Sequence, residues 1–84
     1  MANVTIRYRG GIADTIGLKE ERTDAPDIRS VLAYIKKAHG RSAYKTARIM
    51  IIAVNGQSIL LHKCYRTELK EGDEVMFLPI SGGG

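Results

Sequence analysis

The chain has 84 residues, a length that fits one domain and leaves no material for a second hydrophobic core. Its 44% apolar and 26% charged residues are typical of a soluble globular protein, which excludes the disordered and fibrous classes. The net charge of +4 permits an acidic protein partner or nucleic acid. We favour a solvated basic face over both, because no nucleic-acid-binding signature is present.

Nothing in the sequence indicates membrane insertion or secretion. The longest apolar stretch, residues 49–54, is far shorter than the roughly 20 residues that span a bilayer. Residues 1–10 alternate polar and apolar side chains, unlike a signal peptide. The single cysteine, Cys64, cannot form an internal disulfide, which agrees with a reducing compartment. We therefore expect a cytoplasmic protein with no membrane partner.

The first third of the chain predicts two strands. Residues 4–9 alternate apolar and polar side chains, the pattern of a half-buried strand. The pair Gly10-Gly11 ends it, and residues 12–17 fit one helical turn. The charged residues 19–23 then predict a polar edge strand beside the first.

An amphipathic helix follows. Asp27 is a favourable N-cap, and the helix should end at Gly40 in a left-handed cap. Apolar residues recur at the spacing of one helix face, at Ile28, Val31, Leu32 and Ile35. This helix must pack on a sheet, and residues 41–48 are predicted to be a polar loop.

The remaining third predicts the rest of the sheet. Residues 49–54 are expected to form a buried central strand before the tight turn Asn55-Gly56. Residues 59–61 are expected to pair across that turn. After a turn at residues 71–73, the run 74–80 predicts a last strand that is apolar on both faces.

This order of elements indicates an α+β protein with one main helix packed on one face of a mixed sheet of four to five strands. That arrangement is the β-grasp fold of ubiquitin-like proteins. We assign residues 1–80 to the domain and residues 81–84 to a flexible glycine tail.

The ingredients of conventional catalysis are missing. His39 and His62 lack metal-ligand spacing and are interpreted as surface residues, and Cys64 as a packing residue. No metal site is predicted. The acidic residues cluster near turns, as exposed carboxylates do: Glu20, Glu21, Glu71, Asp73 and Glu74.

The unusual feature is the end of the chain. Three consecutive glycines, Gly82, Gly83 and Gly84, bury nothing and cost entropy, so packing does not explain them. Extended, residues 81–84 would reach roughly 13–14 Å, enough to thread a narrow channel of another protein. A frayed terminus or a cloning remnant is the alternative.

Residues 69–79, Leu-Lys-Glu-Gly-Asp-Glu-Val-Met-Phe-Leu-Pro, together with the closing Gly83-Gly84 resemble the C-terminal signature of the MoaD/ThiS family of sulfur carriers, most closely the small subunit of molybdopterin synthase. The turn at residues 54–56 and the segment 14–17 are also similar to that family, so the resemblance covers nearly the whole chain.

The resemblance implies a function for the tail. An E1-like adenylyltransferase would use ATP to adenylate Gly84, and a sulfurtransferase or cysteine desulfurase would convert it to a thiocarboxylate. Gly82 and Gly83 would thread into a partner such as the molybdopterin synthase large subunit. The resemblance implies no enzyme activity and no cofactor bound by the chain itself. We expect the apolar outer face of the last strand, near Phe77, Leu78 and Pro79, to be the surface that docks on a partner.

Several readings stay open. Ile80 and the pair Ser81-Gly82 depart from the molybdopterin-type pattern, so carriers for thiamin, cysteine or homocysteine synthesis are alternatives to molybdopterin synthesis. A ubiquitin-like modifier joined to protein lysines is a further alternative, and a basic RNA-binding module is the last.

Overall fold

The structure is a computed structural model that describes residues 2–80. Its elements in chain order are β1 (Asn3–Tyr8), α1 (Gly11–Ile16), β2 (Glu20–Asp24), α2 (Ile28–His39), α3 (Arg41–Arg48), β3 (Ile51–Val54), β4 (Gln57–Ser58), two short 3₁₀ helices (Ile59–Leu61 and Cys64–Arg66) and β5 (Glu74–Leu78).

Five strands form one mixed sheet in the order β2-β1-β5-β3-β4. The pair of β1 and β5 is parallel, and every other pair is antiparallel. Helix α2 buries its apolar stripe in the same core as the inward side chains of the sheet. The predicted α+β class and β-grasp plan are confirmed.

The strongest sequence patterns form the predicted elements. In β1, the side chains of Val4, Ile6 and Tyr8 are buried, as alternation requires. Helix α2 begins as predicted, because Asp27 Oδ1 accepts a hydrogen bond of 2.8 Å from the Ser30 backbone N–H. Burial of these two apolar faces against each other supplies the core.

The tight turns also form as predicted. Gly17 ends α1 in the left-handed conformation. Asn55 and Gly56 both have positive φ, at 51° and 87°, which a two-residue hairpin turn of type I′ requires.

The predicted loop over residues 41–48 is wrong, because this segment is helix α3. Its buried stripe consists of two alanines, Ala43 and Ala47, whose weak hydrophobicity hides the helical period. Gly40 has positive φ (98°) but an extended ψ (172°), so it redirects the chain between the two helices instead of forming the predicted left-handed cap.

Two strand predictions are also corrected. The third strand begins at Ile51 rather than at Ile49, which is 70% exposed and whose N–H caps α3 by donating to Thr46 O (3.2 Å). Residues 59–61 do not pair across the turn. They form a 3₁₀ helix that Ser58 caps, its Oγ accepting from Leu60 N at 3.2 Å.

Candidate functional site

The strand that leads to the C-terminal tail lies in the middle of the sheet. Strand β5 is hydrogen-bonded on both sides, to β1 and to β3. The pairing with β1 continues to the end of the strand, where Arg9 N donates to Phe77 O at 3.0 Å. The end of β5 is therefore held by main-chain bonds on two sides.

Pro79 packs on the turn that follows β1. Gly10 has φ 73° and ψ −148°, a conformation that side chains rarely adopt. A Cβ atom built on Gly10 would lie 3.2 Å from Pro79 Cγ, closer than ordinary van der Waals contact. Glycine at position 10 thus permits the close approach of the Pro79 ring.

The structure corrects the role predicted for Phe77. Its side chain is fully buried, in ring contact with Tyr8, because the odd-numbered residues of β5 face the helices. Phe77 therefore cannot present its ring on an exposed apolar surface. The even-numbered Met76 and Leu78 lie on the outer face and are partly exposed, and Pro79 is exposed.

An apolar surface borders the end of β5 and is here called the exit patch, defined as Ile51, Leu60, Leu78 and Ile80. Ile51 and Leu78 are directly opposite each other across the antiparallel pair and so share the outer face. The side chains of Leu60 and Ile80 are 77% and 65% exposed. Large apolar side chains gathered in this way are typical of a protein interaction site.

A groove of about 600 Å³ adjoins the exit patch. Its apolar lining comes from the start of β3, from the first 3₁₀ helix and from Ile80, and includes Met50, Ile51, Ile59 and Leu60. Strand β4 pairs with β3 only at Ala53 and Val54, so the groove runs beside the part of β3 that β4 does not cover.

Cys64 lines the same groove and is exposed, so its predicted packing role is wrong. Its φ of 52° lies in the left-handed region, at the start of the second 3₁₀ helix. His62 is exposed, as predicted, and its Nε2 lies 3.1 Å from Gln57 Oε1.

The acidic residues around the last turn hold that turn together. Asp73 Oδ2 accepts from Lys70 N at 2.8 Å, and its Oδ1 accepts from Asn55 Nδ2 at 2.9 Å. Glu71 Oε1 accepts from Asn3 N at 2.9 Å. These contacts account for the carboxylates as structural groups and fix the register in which β5 begins.

A polar cluster that the sequence did not reveal lies between β1, β2 and the end of α2. The Glu21 carboxylate contacts the hydroxyl groups of Tyr8 and Tyr34 and the Nε2 atom of His39, each at 2.6 Å. The side chains of Glu21 and His39 are only 14% and 15% exposed. The prediction that both are surface residues is therefore wrong.

The cluster changes the acidity of its members. The hydrogen bond to Glu21, with burial, raises the pKa of Tyr34 to about 12. Burial is the main cause that raises the pKa of Tyr8, and the hydrogen bond to the Glu21 carboxylate is the second. Burial opposes ionisation of Glu21, yet the hydrogen bonds from Tyr34, Tyr8 and His39 together lower its pKa. The cluster is thus arranged around an ionised carboxylate and neutral tyrosines.

Within residues 2–80, no group of three or more His, Cys, Asp or Glu side chains is placed to hold a metal ion. No helix in that part of the chain is both long and apolar enough to cross a membrane. The predicted threading residues Gly82 and Gly83 and the predicted reactive Gly84 lie outside the described residues. The predicted boundary between domain and tail stays a prediction.

The fold and the exit of its central strand define a ubiquitin-like β-grasp protein. The chain resembles the solution structure of small archaeal modifier protein 1 from Methanosarcina acetivorans, with a TM-score of 0.84 and 23% identity over 100% of this chain and 98% of the other. It also resembles the Amycolatopsis orientalis BexX/CysO complex, with a TM-score of 0.80 and 19% identity over 96% of this chain and 99% of the other. At these identities the likeness shows the fold alone.

The chain belongs to the ThiS family, whose model matches residues 6–84. Members of this family are small ubiquitin-like sulfur carriers and modifiers that act with partner proteins. The complex of subunits 1 and 2 of the molybdopterin-converting factor from Helicobacter pylori is a further similar structure, with a TM-score of 0.70 and 25% identity over 98% of this chain and 99% of the other. A comparison with curated protein sequences found no match.

Proposed function

We propose that this protein carries sulfur as a thiocarboxylate on Gly84 and delivers it to a biosynthetic enzyme, with molybdopterin synthesis as the pathway. The observation that carries the proposal is the family match, which extends through the terminal glycines to residue 84. The likeness to a molybdopterin-converting factor at 25% identity supports the choice of pathway.

The chemistry needs a partner, because a free carboxylate is a poor electrophile. An E1-like adenylyltransferase joins the Gly84 carboxylate to AMP from ATP and releases pyrophosphate. The terminal sulfur of a persulfide on a sulfurtransferase or cysteine desulfurase then attacks the acyl adenylate, and AMP leaves. A thiol reductant cleaves the S–S bond of the resulting acyl disulfide, which leaves the thiocarboxylate on Gly84 and a mixed disulfide between the donor enzyme and the reductant. In this scheme the chain is a substrate, and no cofactor resides on it.

The described residues suit this role through placement. Strand β5 is held on both sides, and Pro79 packs against Gly10, so the backbone is fixed as far as Pro79. The exit patch, next to the end of β5, has apolar side chains that are exposed or partly exposed. We propose that Leu78 and Pro79 contact the partner together with this patch, while Gly82 and Gly83 thread into its active site.

The proposal is tested by intact-mass spectrometry of the full chain after incubation with the adenylyltransferase, ATP and the sulfur donor. Exchange of one oxygen for sulfur should raise the mass of the chain by the difference between the atomic masses of sulfur and oxygen. A variant lacking Gly84 is the control and should not change. An unchanged mass of the parent chain, with a partner that thiolates another carrier in the same assay, would overturn the proposal.

The same activated carboxylate could instead acylate lysine side chains of other proteins. Conjugates would then appear as higher-mass bands on blots of the tagged chain and vanish when Gly84 is deleted. Such bands, without any thiocarboxylate in the intact-mass assay, would show that the protein acts as a modifier of other proteins and not as a sulfur carrier.

A further inference from the structure

The positive charge of the protein is concentrated on its helices. Residues 28–48, which form α2 and α3, hold six of the 13 basic residues and none of the nine acidic residues. The remaining seven basic and nine acidic residues give the rest of the chain a net charge of −2. The excess positive charge therefore lies on the layer formed by α2 and α3.

The helical layer contains a recess of about 390 Å³, here called the basic groove. It lies between α2, α3 and the second 3₁₀ helix, and its lining includes Arg29, Leu32, Lys36, Tyr44, Arg48 and Tyr65. Leu32 and the two tyrosine rings supply apolar lining, here called the apolar floor, and Arg29, Lys36 and Arg48 supply three cations.

Contacts within the basic groove position its cations. Lys36 Nζ lies 5.1 Å and Arg48 Cζ 5.7 Å from the centroid of the Tyr44 ring, within cation–π range. The Tyr65 hydroxyl donates a hydrogen bond of 3.3 Å to Arg48 O, which fixes the second 3₁₀ helix against the end of α3.

These cations are poorly neutralised. No salt bridge within residues 2–80 involves Lys36 or Arg48. Arg29 approaches Asp27 only at 3.8 Å, and the Arg29 side chain is 66% exposed, where an ion pair contributes little. The groove therefore presents three cations able to bind carboxylates of another molecule.

We propose that the basic groove binds an acidic peptide segment of a partner protein, one that inserts an aromatic side chain between its carboxylates. Arginine and tyrosine are the residues most enriched where interfaces gain their binding energy, and an apolar floor gains from an inserted ring. The cations of the groove steer an acidic segment toward it. The site takes no part in the sulfur chemistry of the tail, although Arg48 and Tyr65 also line the groove beside the exit patch.

A nucleic acid fits this surface less well. Single-stranded nucleic acid binds through open aromatic rings on which bases stack, along a track of cations. Here Lys36 and Arg48 both lie against the Tyr44 ring, so this ring already has cation contacts instead of being open to a stacked base. An acidic peptide uses both the apolar floor and the three cations.

The test is a fluorescence anisotropy titration of the full chain, at low ionic strength, with three labelled probes. They are a peptide of alternating Glu and Asp around a central Phe, the same peptide with a central Ala, and oligouridine. We expect the Phe peptide to bind about tenfold more tightly than the Ala peptide, because burial of one aromatic ring contributes a binding free energy that corresponds to about this ratio of dissociation constants. Amide shifts on binding should fall on Tyr44, Arg48 and Tyr65.

The variant R29E should weaken binding of the Phe peptide by about fivefold to tenfold. Glutamate suits the first turn of a helix, so this variant should fold. The matched control is R22E, the same charge change at an exposed position of β2, and it should bind nearly as the parent does. Each of three results would overturn the proposal. They are an equal loss of affinity for the Phe peptide in R29E and R22E, equal affinities of the parent chain for the Phe and Ala peptides, and tighter binding of oligouridine than of the Phe peptide.

Discussion

The rings of Tyr8 and Phe77 are stacked, with their centroids 5.9 Å apart and their planes inclined by 28°. The two residues are also partners in the register of the parallel β1 and β5 pair. Through its hydroxyl group, Tyr8 in turn binds Glu21 on β2. One chain of contacts thus joins the edge of the sheet to the strand that leads to the tail.

Replacing Phe77 by alanine should remove the centre of this arrangement. Loss of a fully buried aromatic ring leaves a cavity and should lower the free energy of unfolding by about 3–5 kcal/mol. Leu78→Ala, on the partly exposed outer face of the same strand, is the comparison and should cost clearly less. Urea denaturation of both variants measures the difference, and similar losses would contradict the burial assigned to the two faces.

The Glu21 cluster should make stability depend on pH on the acid side. The folded-state pKa of Glu21 lies below its ordinary value of 4.5. The ionised carboxylate therefore stabilises the fold above that value, and this contribution is lost as the pH falls through the lower folded-state pKa. Glu21→Gln should flatten this dependence and lower stability at neutral pH by about 1–3 kcal/mol, because an NH2 donor replaces one of the two oxygens that accept hydrogen bonds from Tyr8, Tyr34 and His39.

The control for that prediction is Glu20→Gln, a substitution of the neighbouring exposed carboxylate. Thermal unfolding curves recorded across the range of carboxyl titration should show the parent and the Glu20 variant losing stability together as the pH falls. A Glu21 variant that follows the same curve as the parent would show that the cluster does not govern acid stability.

Sequence periodicity was sufficient to predict the elements with strong patterns but not the direction of β5. The stripe of α2 and the alternation of β1 each identify a single buried face. Residues 74–80 are apolar on both faces, so alternation cannot tell whether Phe77 or Leu78 points inward. The distinction depends on the pairing with β1 and β3, which periodicity does not contain.

The polar cluster was hidden for a different reason. Glu21 lies 13 residues from both tyrosines in its cluster and 18 from His39, and only the packing of the end of α2 beside β2 brings these groups together. No local spacing predicts such a contact. The exit patch is similar, since Ile51 and Leu78 meet only through strand pairing.

The contact between Gly10 and Pro79 should couple the turn after β1 to sulfur loading. Gly10→Ala introduces a Cβ at 3.2 Å from the proline ring and strains a positive φ, at an expected cost of about 1–3 kcal/mol. Displacing Pro79 should also slow thiocarboxylate formation. The control is Gly72→Ala, which strains a similar φ of 86° with no atom within 4 Å of the added Cβ.

Thermal unfolding and the intact-mass assay, run on both glycine variants, separate the two effects. We expect both variants to lose stability and only Gly10→Ala to load sulfur more slowly while still folded. Equal loading by the two variants would mean that the placement of Pro79 does not matter to the partner.

The exit patch is tested by a pair of substitutions at equally exposed positions. Ile51 and Leu18 are both 42% exposed, but Ile51 belongs to the exit patch, whereas Leu18 precedes β2 at the far edge of the sheet. Ile51→Ser should raise the KM of the adenylyltransferase for this chain by about tenfold, because a partly desolvated apolar contact is lost. Leu18→Ser should leave the KM unchanged, and circular dichroism should show both variants folded. An equal KM for the two variants would show that the partner does not dock on the exit patch. A fall in kcat alone for the Ile51 variant would show that Ile51 positions the tail after binding and does not contribute to binding itself.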